Sequence, residues 1–318
     1  MSIDPKKIYE DFKKEVINKR AAIELLISSI ENSDNEDLRI EALYIFEKIS
    51  GKSKVEFQFL ENLLLSDSNA KIRCLSAKIV KDNFINDALT PMKWALQNES
   101  DYECLITVIK SISEIETIES KSILLNEIKK IKKRKYIDNV SNQYYNKKFQ
   151  YNLKILFKQK KIQQYSCNEL AEIIINFRTI ENLIRNFYTV SFDLEDSLIT
   201  KLDLSDLGWN VNIWRQPFAN RIEKLSEITG LLNLKNLKHL DLSNNRISDV
   251  ETLINLKNLV ELKISNNRIE DVKNLDYFKK MSCLRYLDVR KNKIADKIDV
   301  QEFNKELKIA FKNGLYFH

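Results

Sequence analysis

The sequence predicts two stacked-repeat modules: an α-solenoid over residues 1–130 and a short strand-containing solenoid over 191–318, joined by a basic helical bridge over 131–190. Three observations lead there. Glycine (4) and proline (3) are scarce in 318 residues, which disfavours turn-rich sandwiches and barrels. The first part repeats a capped amphipathic helix, with Arg39, Arg73 and Glu103 at corresponding places 34 and 30 residues apart. The last part repeats a frame of leucines closed by an asparagine, with Asn220, Asn245, Asn267 and Asn292 spaced 25, 22 and 25 residues apart.

Asp4-Pro5 is a good helix start, since Asp can cap and Pro fits the first turn. Ile8, Phe12 and Val16 then follow at helical spacing. A second helix draws its apolar face from Ala21, Leu25, Ile27 and Ile30. Three stretches align next: "SDNEDLRIEALYIFEKI" from Ser33, "SDSNAKIRCLSAKIVKD" from Ser66 and "NESDYECLITVIKSISEI" from Asn98. Each opens on an acidic, cap-rich turn. Between them lie second helices, "KVEFQFLENLLLS", "ALTPMKWALQN" and "IESKSILLNEIKKI", with apolar residues at i, i+3 and i+4. One such helix pair cannot bury its own apolar face and must stack on its neighbours. The pattern resembles short HEAT-type repeats, in which an apolar residue, Arg and then Ala open a helix. "LRIEA" (38–42) matches, "IRCLSA" (72–77) matches with Ala one place late, and "YECLI" (102–106) keeps neither Arg nor Ala.

The bridge carries the charge excess, 12 Lys+Arg against 4 Asp+Glu over 131–190, in a chain of net charge +6. From Lys129 to Lys161 there are 12 basic residues and one acid, Asp138, with Tyr136, Tyr144, Tyr145, Phe149, Tyr151 and Phe157 interleaved. Phosphate neutralisation by lysines with stacking on aromatic faces is the footprint of single-stranded nucleic-acid binding. Lys132, Lys133, Arg134, Lys135, Lys147 and Lys148 are the candidate contacts. An ordinary connector with core aromatics is the competing reading. "KFQYNLKILFK" fits a helix through Phe149, Leu153 and Leu156, and a strand through Phe149, Tyr151, Leu153, Ile155 and Phe157; periodicity does not choose between them.

The last module has three full frames in tandem: Leu237-x-x-Leu240-x-Leu242-x-x-Asn245, Leu259-x-x-Leu262-x-Ile264-x-x-Asn267 and Leu284-x-x-Leu287-x-Val289-x-x-Asn292. This half resembles leucine-rich repeats, whose leucines fill a coil and whose buried Asn satisfies backbone groups where the chain leaves the strand. An imperfect extra strand is expected at Leu202 and Leu204, followed by an irregular stretch with Trp209, Trp214 and Pro217. "IDVQEFNKELKIAFKNG" is expected to be a capping helix with Val300, Phe303, Leu307 and Phe311 on one face and Gly314 after its end. The 22-residue form is similar to the regulatory and adaptor subfamily that includes protein-phosphatase regulatory subunits, which implies protein partners on the concave face.

Residues flanking the L-x-L core point to that face: Lys201, Asp203 and Ser205; His239, Asp241 and Ser243; Glu261, Lys263 and Ser265; Tyr286, Asp288 and Arg290. Asp241, Lys263 and Asp288 should lie side by side as a ladder of alternating sign. Mutual pairing on a wet face is one reading of these residues. A protein-binding surface made by His239, Asp241, Glu261, Lys263, Tyr286, Asp288 and Arg290 is the other, since Tyr and Arg are frequent interface anchors.

No enzyme is expected. The chain has two histidines, His239 and His318, too few for a metal cluster or triad in residues 1–238. No phosphate-cradling G-x-x-x-x-G-K-[ST] or G-x-G-x-x-G occurs. No cofactor, metal or small-molecule substrate is implied. The cysteines, Cys74, Cys104, Cys167 and Cys283, form no C-x-x-C pair and read as small apolar residues. The amino end lacks an apolar signal core, and runs such as Ile173-Ile174-Ile175 fall far short of a membrane span of about 20 residues. A cytoplasmic protein is expected, acting as a scaffold or adaptor, with RNA or DNA binding through 129–161 as the alternative.

Overall fold

In the computed structural model, the residues described are 4–133, 140–159, 161–187, 190–205, 221–311 and 314–316. The chain divides into two compact units, residues 1–129 with 165–174 and residues 130–164 with 175–318.

The first unit is built from α1 (Pro5–Lys13), α2 (Lys19–Asn32), α3 (Glu36–Ile49), α4 (Lys54–Ser66), α5 (Ala70–Asn83), α6 (Leu89–Asn98), α7 (Tyr102–Ile115) and the start of α8 (Ile118–Lys133). The turns that open these helices are caps in fact: the side chains of Asp4, Asn18, Asn35, Ser53, Asn69 and Asp101 accept N–H bonds from the first turns of α1 to α5 and α7, satisfying donors that have no partner within the helix. Side-chain contacts then recur at a sequence separation of 33: Asn69 donates to Glu36, Asn83 to Ser50 and Lys81 to Glu114. Arg39 and Arg73 form a second ladder. Arg39 donates to the Ile30 carbonyl and pairs with Asp67. Arg73 donates to the Asp67 and Ser68 carbonyls and forks onto Glu99. Each guanidinium thus closes the end of one helix and ties it to the acid that begins the next turn. The unit is helical, and these recurrences are consistent with a helical repeat. Two details differ from expectation. Val16 lies beyond the end of α1 and is 69% exposed, and α2 buries Ala22, Ile23, Leu26 and Ile30 rather than Ala21, Leu25 and Ile27. The doublets Ala21-Ala22 and Leu25-Leu26 allow both registers.

The second unit holds α9 (Val140–Lys158), most of α10 (Cys167–Asn186), β1 (Ser191–Glu195), β2 (Leu198–Asp203), β3 (His239–Asp241), β4 (Glu261–Lys263), α11 (Lys273–Lys280), β5 (Tyr286–Asp288), β6 (Lys308–Phe311) and β7 (Gly314–Tyr316). The helical reading of 149–159 is the one realised. Phe149, Leu153 and Leu156 are buried, and Phe149 meets Phe177 of α10 edge-on at 5.3 Å and Phe192 of β1 at 5.5 Å. Asn176 accepts the Ile199 N–H, fixing α10 to the start of β2.

The strands form one sheet in the order β1 to β7. β2 to β6 run parallel, aligning Leu202, Leu240, Leu262, Leu287 and Ile309. β1 and β7 pair antiparallel at the two edges. The expected capping helix is therefore not what forms: residues 300–302 make a short 3-10 turn, and Lys308–Phe311 pairs as a strand with Gly314–Tyr316. Val300, Phe303, Leu307 and Phe311 fit a helical period, but Leu307, Ile309 and Phe311 alternate as well, and Ile309, which the helical set omits, is fully buried while Val300 is not. The irregular stretch with Trp209, Trp214 and Pro217, and Asn220, lie outside the described residues.

The asparagines of the frame act as expected of them. Asn245 accepts the Ile222 N–H and donates to the Leu204 and Leu242 carbonyls. Asn267 accepts from Ile247 and donates to Leu242 and Ile264. Asn292 accepts from Ile269 and donates to Ile264 and Val289. The preceding residues, Asn244, Asn266 and Lys291, have φ of 62°, 53° and 57°, a left-handed turn that Asn tolerates best among non-glycine residues. That explains the doubled "NN" in the first two frames.

Candidate functional site

The alternation of β2 to β6 places one row of side chains beside the buried leucines on each side. Lys201, His239, Glu261, Tyr286 and Lys308 occupy one row; Asp203, Asp241, Lys263, Asp288 and Ala310 occupy the other. Asp241, Lys263 and Asp288 are register neighbours, as the frame requires. Their side chains nevertheless do not pair across the strands.

Lys263 Nζ lies 2.9 Å from Glu261 Oε1 on its own strand. His239 Nδ1 lies 3.1 Å from the other oxygen, Glu261 Oε2. Burial alone would raise the Glu261 carboxyl, but hydrogen bonds from Lys263 and His239 hold it below its ordinary value. The bond to Glu261 raises Lys263 in turn. Asp288 is committed elsewhere: it accepts from the backbone N, Nε and Nη2 of Arg290. Expected to be exposed, its side chain is in fact only 4% exposed, because the Arg290 guanidinium covers it. The same contact raises Arg290. Asp241 accepts the Ser243 N–H; burial raises its carboxyl, and Asp203 one strand away adds to the rise. Ser243 is also buried. Tyr286 is raised by burial and then by Asp288.

The face is thus a polar surface with two internally neutralised clusters, His239–Glu261–Lys263 and Asp288–Arg290, and a half-buried Tyr286 between them. Among the described residues no group of three His, Cys, Asp or Glu side chains could hold a metal ion, and no helix is long and apolar enough to cross a membrane.

The basic segment is sorted differently from its sequence. Lys132 Nζ sits over the Phe157 ring at 4.4 Å, and Lys133 is exposed at the end of α8. Arg134, Lys135 and Tyr136 lie outside the described residues. Lys148 is drawn onto the Phe192 carbonyl and the Asp193 carboxylate, whereas Lys147 is exposed. Phe149 is core. Sequence reasoning passed over Lys154 and Lys158, which are exposed on the same stripe as Lys147; the signal was there, at spacings of seven and four, once the segment is read as a helix.

A feature the sequence hid is a thiol pair in the first unit. Cys104 of α7 lowers the Cys74 thiol of α5 to about 7, and Cys74 Sγ lies 3.1 Å from Thr107 Oγ1.

Comparison with known families supports the second unit's frame. A model of two leucine-rich repeats matches residues 235–277 and a single leucine-rich repeat matches 280–298. Residues 235–298 are leucine-rich repeats. No curated protein and no solved structure matches the chain. The leucine-rich frame therefore extends over β3, β4 and β5, the strands that carry His239, Glu261 and Tyr286.

Proposed function

We propose that the chain is a non-catalytic interaction scaffold or adaptor that holds a protein partner on the exposed face of the leucine-rich sheet. His239, Asp241, Glu261, Lys263, Tyr286 and Arg290 would make the contacts, with Asp288 acting from beneath to hold Arg290. One observation carries this reading. Leucine and asparagine meet the main structural demands of the coils, and Asp203, Asp241 and Asp288 add a repeated bond to the N–H two residues on, so the row of Lys201, His239, Glu261, Tyr286 and Lys308 is released from the frame and varies between coils. Leucine-rich repeats commonly serve protein–protein contact, and Tyr and Arg are the residues most often found to anchor such interfaces. In the same reading the helical region is a HEAT-type solenoid over 1–130, the segment 131–190 is a connecting bridge, the leucine-rich part is of the adaptor type, and the protein works in the cytoplasm.

The test is recovery of partners from native extract on immobilised full-length chain, comparing wild type with Lys263→Glu combined with Tyr286→Ala. Arg290 is left in place because it covers Asp288. At least one protein captured by the wild type should be lost from the variant. Identical recovery by both would sink the sheet-face reading.

A further inference from the structure

We propose that the exposed stripe of α9, formed by Lys147, Tyr151, Lys154, Ile155 and Lys158, is a docking strip for single-stranded nucleic acid. The proposal is independent of the sheet-face reading.

Burial divides α9 cleanly. Phe149, Leu153 and Leu156, at i, i+4 and i+7, are buried, and Phe149 meets Phe177 and Phe192. Lys147, Tyr151, Lys154, Ile155 and Lys158, at i, i+4, i+7, i+8 and i+11, lie on the opposite side and are exposed, since residues three and four apart share a helix face. Tyr151 is 66% exposed and Ile155 37%. The sequence of α9 contains neither Asp nor Glu. Among the described residues Lys147, Lys154 and Lys158 have no carboxylate partner, in contrast to Lys148, which Asp193 takes up. Lys154 and Lys158 are also one turn apart, a like-charge spacing that weakens an isolated helix. A bound polyanion removes that repulsion.

The aromatic decides which polyanion. At about 1.5 Å per residue, Lys147 precedes Tyr151 by about 6 Å along the axis and Lys154 follows it by about 4.5 Å. A base stacked on the Tyr151 ring would have its flanking phosphates within reach of an ammonium on either side. A duplex keeps its base faces in its own stack and has no use for the ring. A membrane surface is disfavoured because an interfacial helix inserts its apolar face, and the apolar residues Phe149, Leu153 and Leu156 of α9 are already buried.

The experiment uses the full chain and fluorescence anisotropy with four probes: a mixed-sequence 20-nucleotide single-stranded RNA, the DNA of the same sequence, the corresponding duplex, and a polyglutamate peptide of equal length. We expect the single strands to bind best, with affinity falling steeply as salt rises. Lys147→Glu with Lys154→Glu and Lys158→Glu should weaken single-strand binding at least tenfold and reduce the slope of log affinity against log salt by about 2. Tyr151→Ala should cost about tenfold on single strands, the loss typical of one stacked base, and Tyr151→Trp should restore it; neither should change binding to the duplex. Circular dichroism of every variant should match wild type, since all five side chains are exposed. The proposal is overturned by absent single-strand binding at low salt, by an unchanged affinity on Tyr151→Ala, or by polyglutamate binding as tightly as RNA, which would make the stripe a site for acidic protein.

Discussion

Lys263 bonds to Glu261 on its own strand, at 2.9 Å, although Asp241 and Asp288 are its register partners on the neighbouring strands. The reason lies in those partners. Asp288 is saturated by Arg290, and Asp241 accepts the backbone N–H of Ser243. The sheet face therefore neutralises itself in small clusters rather than by a ladder across the coils, and an incoming partner meets short-range polarity instead of one extended sign of charge.

Such partly exposed pairs contribute little to stability. A double-mutant cycle of Glu261→Ala and Lys263→Ala should give a coupling of about 0.5 kcal/mol, read from denaturant unfolding, and should fall further at high salt. A coupling of several kcal/mol would mean that the cluster is part of the frame, and the partner-recovery experiment would then need gentler substitutions.

The asparagine ladder makes the opposite prediction. Asn245 is 3% exposed and serves the Ile222 N–H and the Leu204 and Leu242 carbonyls at once. Asn245→Ala strands these groups away from water and should destabilise the leucine-rich region by about 3 kcal/mol or more. Asn244, its half-buried neighbour, sits at φ 62° and accepts a single side-chain bond, from the exposed Asn266, so Asn244→Gly should stay within about 0.5 kcal/mol of wild type. Comparable losses from the two substitutions in a urea titration would contradict this division of labour.

The same contrast explains what could be read in advance. Leu240, Leu262 and Leu287, with Asn245, Asn267 and Asn292, are legible because every coil must meet the same geometric demand, and a strict period has few other physical causes. The helix starts are legible because a cap needs Asp, Asn or Ser at one place. The sheet edges are not: β1 and β6–β7 lie outside the repeated leucine–asparagine frame, and at 300–311 helical and alternating spacings coexist, so the need to close a strand edge decides in favour of strand. Side-chain partners on the sheet face are equally hidden, since proximity in register says nothing of which acceptor is already saturated. The α9 stripe needed the helix first; only then do Lys147, Lys154 and Lys158 separate from the core residues between them.

Arg73 and Glu99 supply a pH dependence for the helical unit. Glu99 is almost fully buried, with 3% of its side chain exposed, and burial alone would raise its carboxyl. The Arg73 fork at 2.7 Å on both oxygens, helped by the Ser100 and Asp101 N–H groups, instead lowers it to about 2. An unfolded glutamate titrates near 4.3, so the folded state binds its proton later. This contribution to stability is fully present above that unfolded value and disappears as pH falls from about 4.3 through about 2. Arg73→Met removes the counter-charge and leaves a buried carboxylate, with an expected loss of about 3 kcal/mol at pH 7. At pH 3 the loss should shrink, because in the variant Glu99 can fold protonated. Adding Glu99→Gln to Arg73→Met should recover part of the neutral-pH loss. Thermal melts of the single and double variants at pH 7 and pH 3 check the sign: a penalty for Arg73→Met that is equal at both pH values would show that Arg73 acts only through the Asp67 and Ser68 carbonyls it also caps, and not through the charge of Glu99.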